Sequence, residues 1–474
     1  MRSLKYLLAV ATGLAGLAFA IGQTQTQTQA PFNSSTISGL GARNIGSAAM
    51  SGRIAAIDAI RDAIGKITIF VGAASGGVWK SEDSGTRYKP VFDEQPVQSI
   101  GALKLDPKNP KNVWVGTGES WTRNSVSIGN GIYKSTDGGE TWNFSGLEKS
   151  ERIAEIVVSP ASGETVYAAV PGNLWSDSSD RGLYKTTDGG KTWNLILKGS
   201  NPSTGASWVA MDPNDPNVLF ACMWDFRRKG WTFRSGGEGP DKPSGSGLFR
   251  SADGGATWTE VTPEANKGFP KKPYGRLAVA IAPSNPKRVY CFVESTDSAL
   301  FGSDDGGATW DKRDKSSWMV WRPFYFAHLI VDPKNPDRVF KTDGPLIVSE
   351  DAGKSFSVVG GFQGAHGDLH AIWIDPTNTQ TVISGDDGGV YYSYNGGAKW
   401  WKAENLPVSQ FYHVSVDDAD PFRVYGGLQD NSSWVGQSQY PGGIANSQWE
   451  NMYGGDGFWM FADPSDPDYL YAEA

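Results

Sequence analysis

Cysteine and histidine are scarce. The 474-residue chain has two Cys, Cys222 and Cys291, and four His. Two thiols cannot build a disulfide framework or a Cys-rich zinc site, which excludes metal or redox chemistry based on cysteine. One disulfide is arithmetically available. The two residues sit at different offsets within their repeats, however, and both read as buried strand residues. A basic excess is also missing: 43 Lys and Arg face 51 Asp and Glu, for a formal net charge of −8. With no Lys/Arg-rich run, binding to a phosphate backbone is excluded, and no nucleic-acid partner is expected. Long hydrophobic runs are absent too. The one candidate, Tyr6 to Ala18, is short and broken by glycines, so no transmembrane segment is expected once it is removed. No stretch of useful length shows a helical period.

What is abundant points elsewhere. Glycine fills 59 of 474 positions, about 12%, against roughly 7% in globular proteins generally. There are also 19 Trp to be packed. At the N-terminus, Arg2 and Lys5 precede the apolar stretch, and Ala18-Phe19-Ala20 forms an A-x-A cleavage site. Residues 1–20 therefore read as an export signal, which places the protein in a secreted or periplasmic compartment. Residues 21–35, with the run Gln23-Thr24-Gln25-Thr26-Gln27-Thr28-Gln29, read as a polar linker, and residues 36–474 as the folded part.

That folded part is a repeat. Ser135-x-Asp137-Gly-Gly-x-Thr-Trp142 recurs from Thr186, Ser251 and Ser303, with degenerate copies from Ser81, Ser349 and Ser393. Successive starts lie 54, 51, 65, 52, 46 and 44 residues apart. The third position is Asp83, Asp137, Asp188, Asp253, Asp305, Asp351 and Asn395 in turn. A second turn, Asp106-Pro-Lys-Asn-Pro110 and its relatives at Asp212, Asp332 and Asp463, lies between the boxes, flanked by β-branched and aromatic runs. Each unit parses as four strands, a to d. Strand c ends in the Ser/Thr of the box, and strand d begins near its Trp. In the box the glycines permit positive φ, the Ser/Thr and Asp side chains bond turn amides, and the Trp fills the gap between neighbouring units.

Four-stranded units of about 50 residues predict an all-β, multi-bladed β-propeller. Strands a begin near Ile54, Ile100, Ile153, Trp208, Leu277, His328, Leu369 and Tyr412, and a ninth unit from Gly457 stops after its second strand. Eight units and a partial ninth are expected. The chain either is cut short or closes its last blade with an N-terminal strand at Ala42-Arg-Asn-Ile45.

Alternating strand direction puts the stereotyped a–b turns and boxes on one side, and the variable b–c and d–a loops on the other. The variable side is the expected ligand face. Its long insertions, Gly116–Asn130, Gly172–Arg181 and Trp224–Ser246, carry Trp121, Trp175, Trp224, Trp231 and Arg227, and the fifth d–a connector adds Trp318 and Trp321. Two uses are open for these aromatics: stacking on a sugar or docking a peptide, or packing long loops into small cores of their own. All four histidines fall between 328 and 413, densest at His366-Gly-Asp368-Leu-His370, with Gly385-Asp386-Asp387-Gly388 expected nearby. His366, Asp368 and His370 could hold a divalent metal, and Asp368 with Asp386 could serve as an acid–base pair. Equally, these groups could satisfy backbone atoms in tight glycine loops.

The boxes resemble those of the BNR/Asp-box repeat families. Arg43-Asn-Ile-Gly46, Ser51-Gly-Arg-Ile54, the His366 to Pro376 stretch and Gln429-Asp-Asn431 are similar to exported bacterial propellers with a sortilin-type domain, often labelled glycosyl hydrolases. The resemblance covers about residues 40–474. Sialidases share the box, but their arginine triad and Tyr/Glu nucleophile cannot be assembled here. The xyloglucanases resemble the chain more, with a catalytic Asp in a motif like R-T-D-I-G-G-A-Y-R-W. The matching stretch, Gly72-Ala-Ala74-Ser-Gly-Gly-Val-Trp-Lys-Ser81, has Ala74 at the catalytic position, and the same register in the seventh unit gives Asp386. The resemblance and the loop face together imply a secreted propeller that binds an extracellular polysaccharide, peptide or protein. The rival is a glycoside hydrolase of xyloglucanase type acting on β-glucans through Asp368 and Asp386. A third use is as a scaffold for the assembly of other exported proteins.

Overall fold

The structure is a computed structural model that describes residues 44–474 apart from 125, 320 and 362–364. The export-signal and linker segments, together with Ala42 and Arg43, lie outside the described residues. No helix among the described residues is long and apolar enough to cross a membrane.

The strands assort into eight four-stranded antiparallel sheets, the fourth carrying an extra edge strand, followed by a two-stranded sheet. Eight units and a partial ninth are thus what the repeat count predicts. The architecture is a β-propeller, with blades at 54–90, 100–144, 155–197, 204–260, 277–314, 329–358 and 369–402. In each, strand c ends on the Ser or Thr of the box: Ser81, Ser135, Thr186, Ser251, Ser303, Ser349 and Ser393. The reason is local. Ser135 Oγ donates to Asp137 Oδ1 (2.7 Å) and accepts from the Gly139 amide (2.8 Å), while Asp137 Oδ1 accepts the Thr141 amide (3.0 Å). The same bonds recur at Ser251 and Ser303. They turn the chain through the two positive-φ glycines and end the ladder. The Trp then reaches into the preceding blade: Trp142 Nε1 donates to Val91 O and Trp193 Nε1 to Ser145 O, both at 2.6 Å.

The ring closes at seven. Hydrophobic clusters join blades 1 and 2, 2 and 3, 3 and 4, 4 and 5, 5 and 6, and 6 and 7. A seventh cluster joins Ile54, Ile57, Ile69 and Val71 of blade 1 to Trp373, Ile383 and Tyr392 of blade 7. Inner strands from all seven blades, and none from the eighth sheet, surround a central channel of about 340 Å³. Among the described residues every blade is built from strands consecutive in the chain, and none is completed by an N-terminal strand. Ile45 lies against the eighth sheet, its carbonyl accepting Trp449 Nε1 at 2.8 Å, but adds no strand to it.

The eighth sheet, 411–453, stands outside the ring. Its first strand, Phe411–Val416, corresponds to the channel-lining strand of each blade, yet Val414 and Val416 are 55% and 61% exposed. Cys222 and Cys291 are free, and both are buried in the core between blades 4 and 5. Burial pushes both thiols well above the ordinary range, so they are inert strand residues.

The closure has a measurable signature. Ile383→Ala removes a fully buried side chain from the seam and is expected to cost about 2–5 kcal/mol. Hydrogen exchange should accelerate in Ile67–Ala73 of blade 1 and not in Arg423–Leu428. The opposite distribution would mean that blade 7 abuts the eighth sheet instead.

Candidate active site at the channel mouth

The loop face is real. Trp121 of the blade 2 insertion packs on His370 of blade 7 (4.7 Å between centroids), and Thr122 Oγ1 donates to Phe324 O. Phe324 in turn meets Phe233 of the blade 4 hairpin at 5.1 Å. The hairpin that carries Trp231 and the strand that carries His370 therefore share one end of the ring.

At its centre lies Arg53, the residue before the first inner strand, buried with its guanidinium extended across three blades. Nε and Nη2 donate to the two oxygens of Asp387 (2.7 and 2.6 Å), and Nη1 donates to Glu119 Oε1 (2.9 Å). His370 Nε2 lies 2.7 Å from the Asp387 oxygen that accepts Arg53 Nε, and Arg53 Nε lies 3.3 Å from that nitrogen. Tyr325 OH stands 3.5 Å from the same nitrogen. Burial by itself would raise Asp387. Arg53 and His370 more than reverse this and hold the carboxyl well below its usual range. Burial pulls the His370 imidazole down to about 4, against the opposing pull of Asp387, so it is neutral at pH 7.

Asp368 and Asp430 complete the mouth. One carboxylate oxygen from each of Asp368, Asp387 and Asp430 lies within 4.8 Å of the others. The set runs from buried Asp387 through half-buried Asp368 to exposed Asp430. Burial, reinforced by the charges of Asp387 and Asp430, pushes Asp368 up to about 6. Asp368 and Asp430 both hold left-handed backbone, φ 62° and 56°, a region that Asp enters more readily than most non-glycine residues. The Asp368 amide is tied to Gly344 O (2.7 Å) and the Asp430 amide to Asp456 Oδ1 (2.9 Å).

Several expected site residues stand differently. Asp386 is fully buried, one oxygen accepting the Gly388 amide at 2.8 Å and the other without a partner. Burial pushes it well above the ordinary range, so it cannot serve as an accessible acid or base beside Asp368. Its neighbour Asp387 faces the site instead. The expected metal set does not assemble either: both His366 ring nitrogens face backbone carbonyls, of Gly367 (2.8 Å) and Asp430 (3.0 Å), and His370 Nε2 is committed to Asp387. The three carboxylates have the chemistry of a divalent-cation site, but Arg53 already brings Asp387 the positive charge a cation would supply.

Trp121 and Trp224 are buried, not presented to a ligand. Trp121 is enclosed by Tyr325, His328 and His370, and Trp224 by Phe226 and Phe233, with the buried Arg276 guanidinium over both. Trp318 packs half-buried into the core between blades 5 and 6. Arg227 is buried and bonded to Ser176 O and Asp177. Trp175, Trp231 and Trp321 remain exposed. Tyr325 belongs to the fifth d–a connector that the sequence places on the ligand face, whereas Arg53 and Glu119 were not expected as site residues. The Ser-Gly-Arg before the first inner strand was the only trace of Arg53.

The raised and lowered groups act with opposite sign. Between pH 6.5 and about 4 an unfolded His370 is protonated and the folded one is not, so acidification removes stability. Between about 6 and 3.8 folded Asp368 keeps its proton and the unfolded one does not, so acidification adds stability. Asp368→Asn is therefore expected to show a steeper loss of Tm than the wild type from pH 6 to pH 4, read by scanning calorimetry. Parallel curves would show that Asp368 is not raised.

No family model matches the chain. Among curated proteins it is similar to a xyloglucanase of Acetivibrio thermocellus, 25% identical over 313 residues, covering 58% of this chain and 34% of that protein. A xyloglucanase of Paenibacillus is 25% identical over 407 residues, covering 76% and 32%. The oligoxyloglucan-reducing end-specific xyloglucanase of Emericella nidulans is 23% identical over 381 residues, covering 71% and 42%. The match thus spans about a third of the length of the first two relatives. Solved structures that align with the chain include a GH74 xyloglucanase from Xanthomonas campestris (TM-score 0.41, 15% identity, 85% of this chain and 74% of that one). YCF48 bound to D1 peptide aligns with TM-score 0.46 at 13% identity, over 75% and 98%. By sequence, the chain is distantly similar to xyloglucanases.

Proposed function

We propose that the protein is a polysaccharide-active propeller that hydrolyses β-glucans of the xyloglucan kind at the channel mouth, with Asp368 as the proton donor. The observation that carries this is Asp368 itself: a half-buried carboxyl on the loop face, raised to about 6 by burial and by Asp387 and Asp430. A general acid must hold its proton near the working pH, and this environment achieves that. Exposed Asp430 is the second carboxylate. The distant relation to xyloglucanases supports a β-glucan substrate, and a polymeric substrate suits the export expected from residues 1–20.

Two observations favour a second reading, binding without cleavage. The position that matches the xyloglucanase catalytic Asp holds Ala74, fully buried, its amide donating to Arg53 O at 3.0 Å. In addition, the 4.8 Å limit between the Asp368 and Asp430 oxygens is shorter than the roughly 6.5–9.5 Å that leaves room for a water between acid and base.

Reducing-end release from xyloglucan and mixed-linkage β-glucan decides between them. Hydrolysis predicts release whose kcat/KM falls about tenfold per pH unit above pH 6, and a loss of about 10²–10⁴-fold in Asp368→Asn. Retention on a xyloglucan affinity gel with no release would replace hydrolysis by binding. Neither release nor retention would sink both.

A further inference from the structure

The loop face carries a second concavity, between blades 3 and 4 and away from Asp368. Two adjoining cavities of about 650 and 410 Å³ share Asp177, Ser200, Asn201 and Pro202 as a common wall. Their linings hold six cations, Arg181, Lys198, Arg227, Lys229, Arg234 and Lys242. Only three carboxylates, Asp177, Asp225 and Glu238, stand against them. A local surplus of three positive charges is notable in a chain of net charge −8.

The hairpin geometry produces this surplus. Where Leu219–Lys229 pairs with Thr232–Ser235, Arg227 lies directly opposite Arg234, and Lys229, two residues on, shares their face. Like charges opposed across a strand pair destabilise it. Here Asp177 offsets Arg227, and Asp225 offsets Arg234 at 2.9 Å. Lys242 pairs with Glu238 at 3.0 Å. Lys198 and Lys229 make no ion pair among the described residues. The opposite face of the hairpin is anchored through its aromatics, with Phe233 against Trp224 at 5.8 Å and Phe324 at 5.1 Å and the Arg228 guanidinium over the Phe233 ring. The cationic face is turned to the cavity by this anchoring. Two exposed indoles lie two residues along the chain from lining residues, Trp175 (48%) from Asp177 in the blade 3 loop and Trp231 (94%) from Lys229 at the hairpin turn.

Clustered cations with exposed indoles close by in sequence suit a ligand that alternates carboxylates with sugar rings. Guanidinium and ammonium groups take the acid, and indole faces take the ring. We propose that this cleft binds a carboxylate-bearing polysaccharide, a polyuronate, through Lys198, Lys229 and Lys242, with Trp231 stacking on a sugar ring. The site is separate from the channel mouth and does not depend on hydrolysis there.

The test is affinity electrophoresis of the full chain in gels containing polygalacturonate, its fully methyl-esterified form, dextran sulfate or poly-L-glutamate. Polygalacturonate should retard the wild type most, and esterification should abolish the retardation. The triple variant Lys198→Ala, Lys229→Ala, Lys242→Ala, all exposed positions, should bind polygalacturonate at least tenfold more weakly. Trp231→Ala should weaken polygalacturonate binding several-fold and leave poly-L-glutamate unaffected. Equal retardation by the esterified polymer, stronger retention by dextran sulfate or poly-L-glutamate, or unchanged binding in the variants would each overturn the proposal. The comparison of the two esterification states uses the wild type alone, so it stands even if a variant misfolds.

Discussion

Where the ring closes, one buried guanidinium joins three blades. Arg53 begins blade 1, bonds both oxygens of Asp387 at the end of blade 7, and reaches Glu119 in the blade 2 loop. Removing an ion from water costs several kcal/mol even after relaxation. Two carboxylates, one of them bidentate, compensate the buried charge, beside the apolar seam of Ile54, Ile57, Trp373 and Ile383 that joins first and last blade. The same bonds set the electrostatics of the mouth. Asp387 stays ionised because of Arg53 and His370, and being ionised it adds to the burial that drives up the neighbouring Asp368. Ring closure and site chemistry thus draw on one ion pair.

The repeat was legible because its signal is local. A Ser or Thr, an Asp and two glycines at fixed offsets make a turn with its own hydrogen bonds, so strand ends followed residue by residue. Closure was legible only in part. Seven boxes match the seven blades of the ring and the eighth sheet carries none, yet the strand Phe411–Val416 holds the place of an inner strand in its own unit. What excludes it is the long-range fit of Ile54 and Ile57 against Trp373 and Ile383.

The site was legible to within one residue on its acidic side. Asp386 still lies in the ladder, opposite Leu369, while Asp387 sits in the tight turn beyond it. Successive residues at a strand end face opposite ways, so a step of one exchanges the buried carboxyl for the one that meets Arg53. The aromatics failed for a different reason. Long insertions must bury something of their own, and Trp121 and Trp224 are spent on two small clusters, with Tyr325 and Phe326 in one and Leu174 and Phe226 in the other. These clusters stiffen the face and leave only Trp175, Trp231 and Trp321 outward.

The narrowness of the axial channel has one more consequence. Ile57, Leu103, Trp208, Met211 and their neighbours leave about 340 Å³ along the axis, near the lower bound of roughly 300–1,000 Å³ that encloses a drug-sized molecule. On the proposed function, with half-buried Asp368 and exposed Asp430 at the rim, a glycan would meet the site from outside the channel, where an interior stretch is as accessible as a terminus.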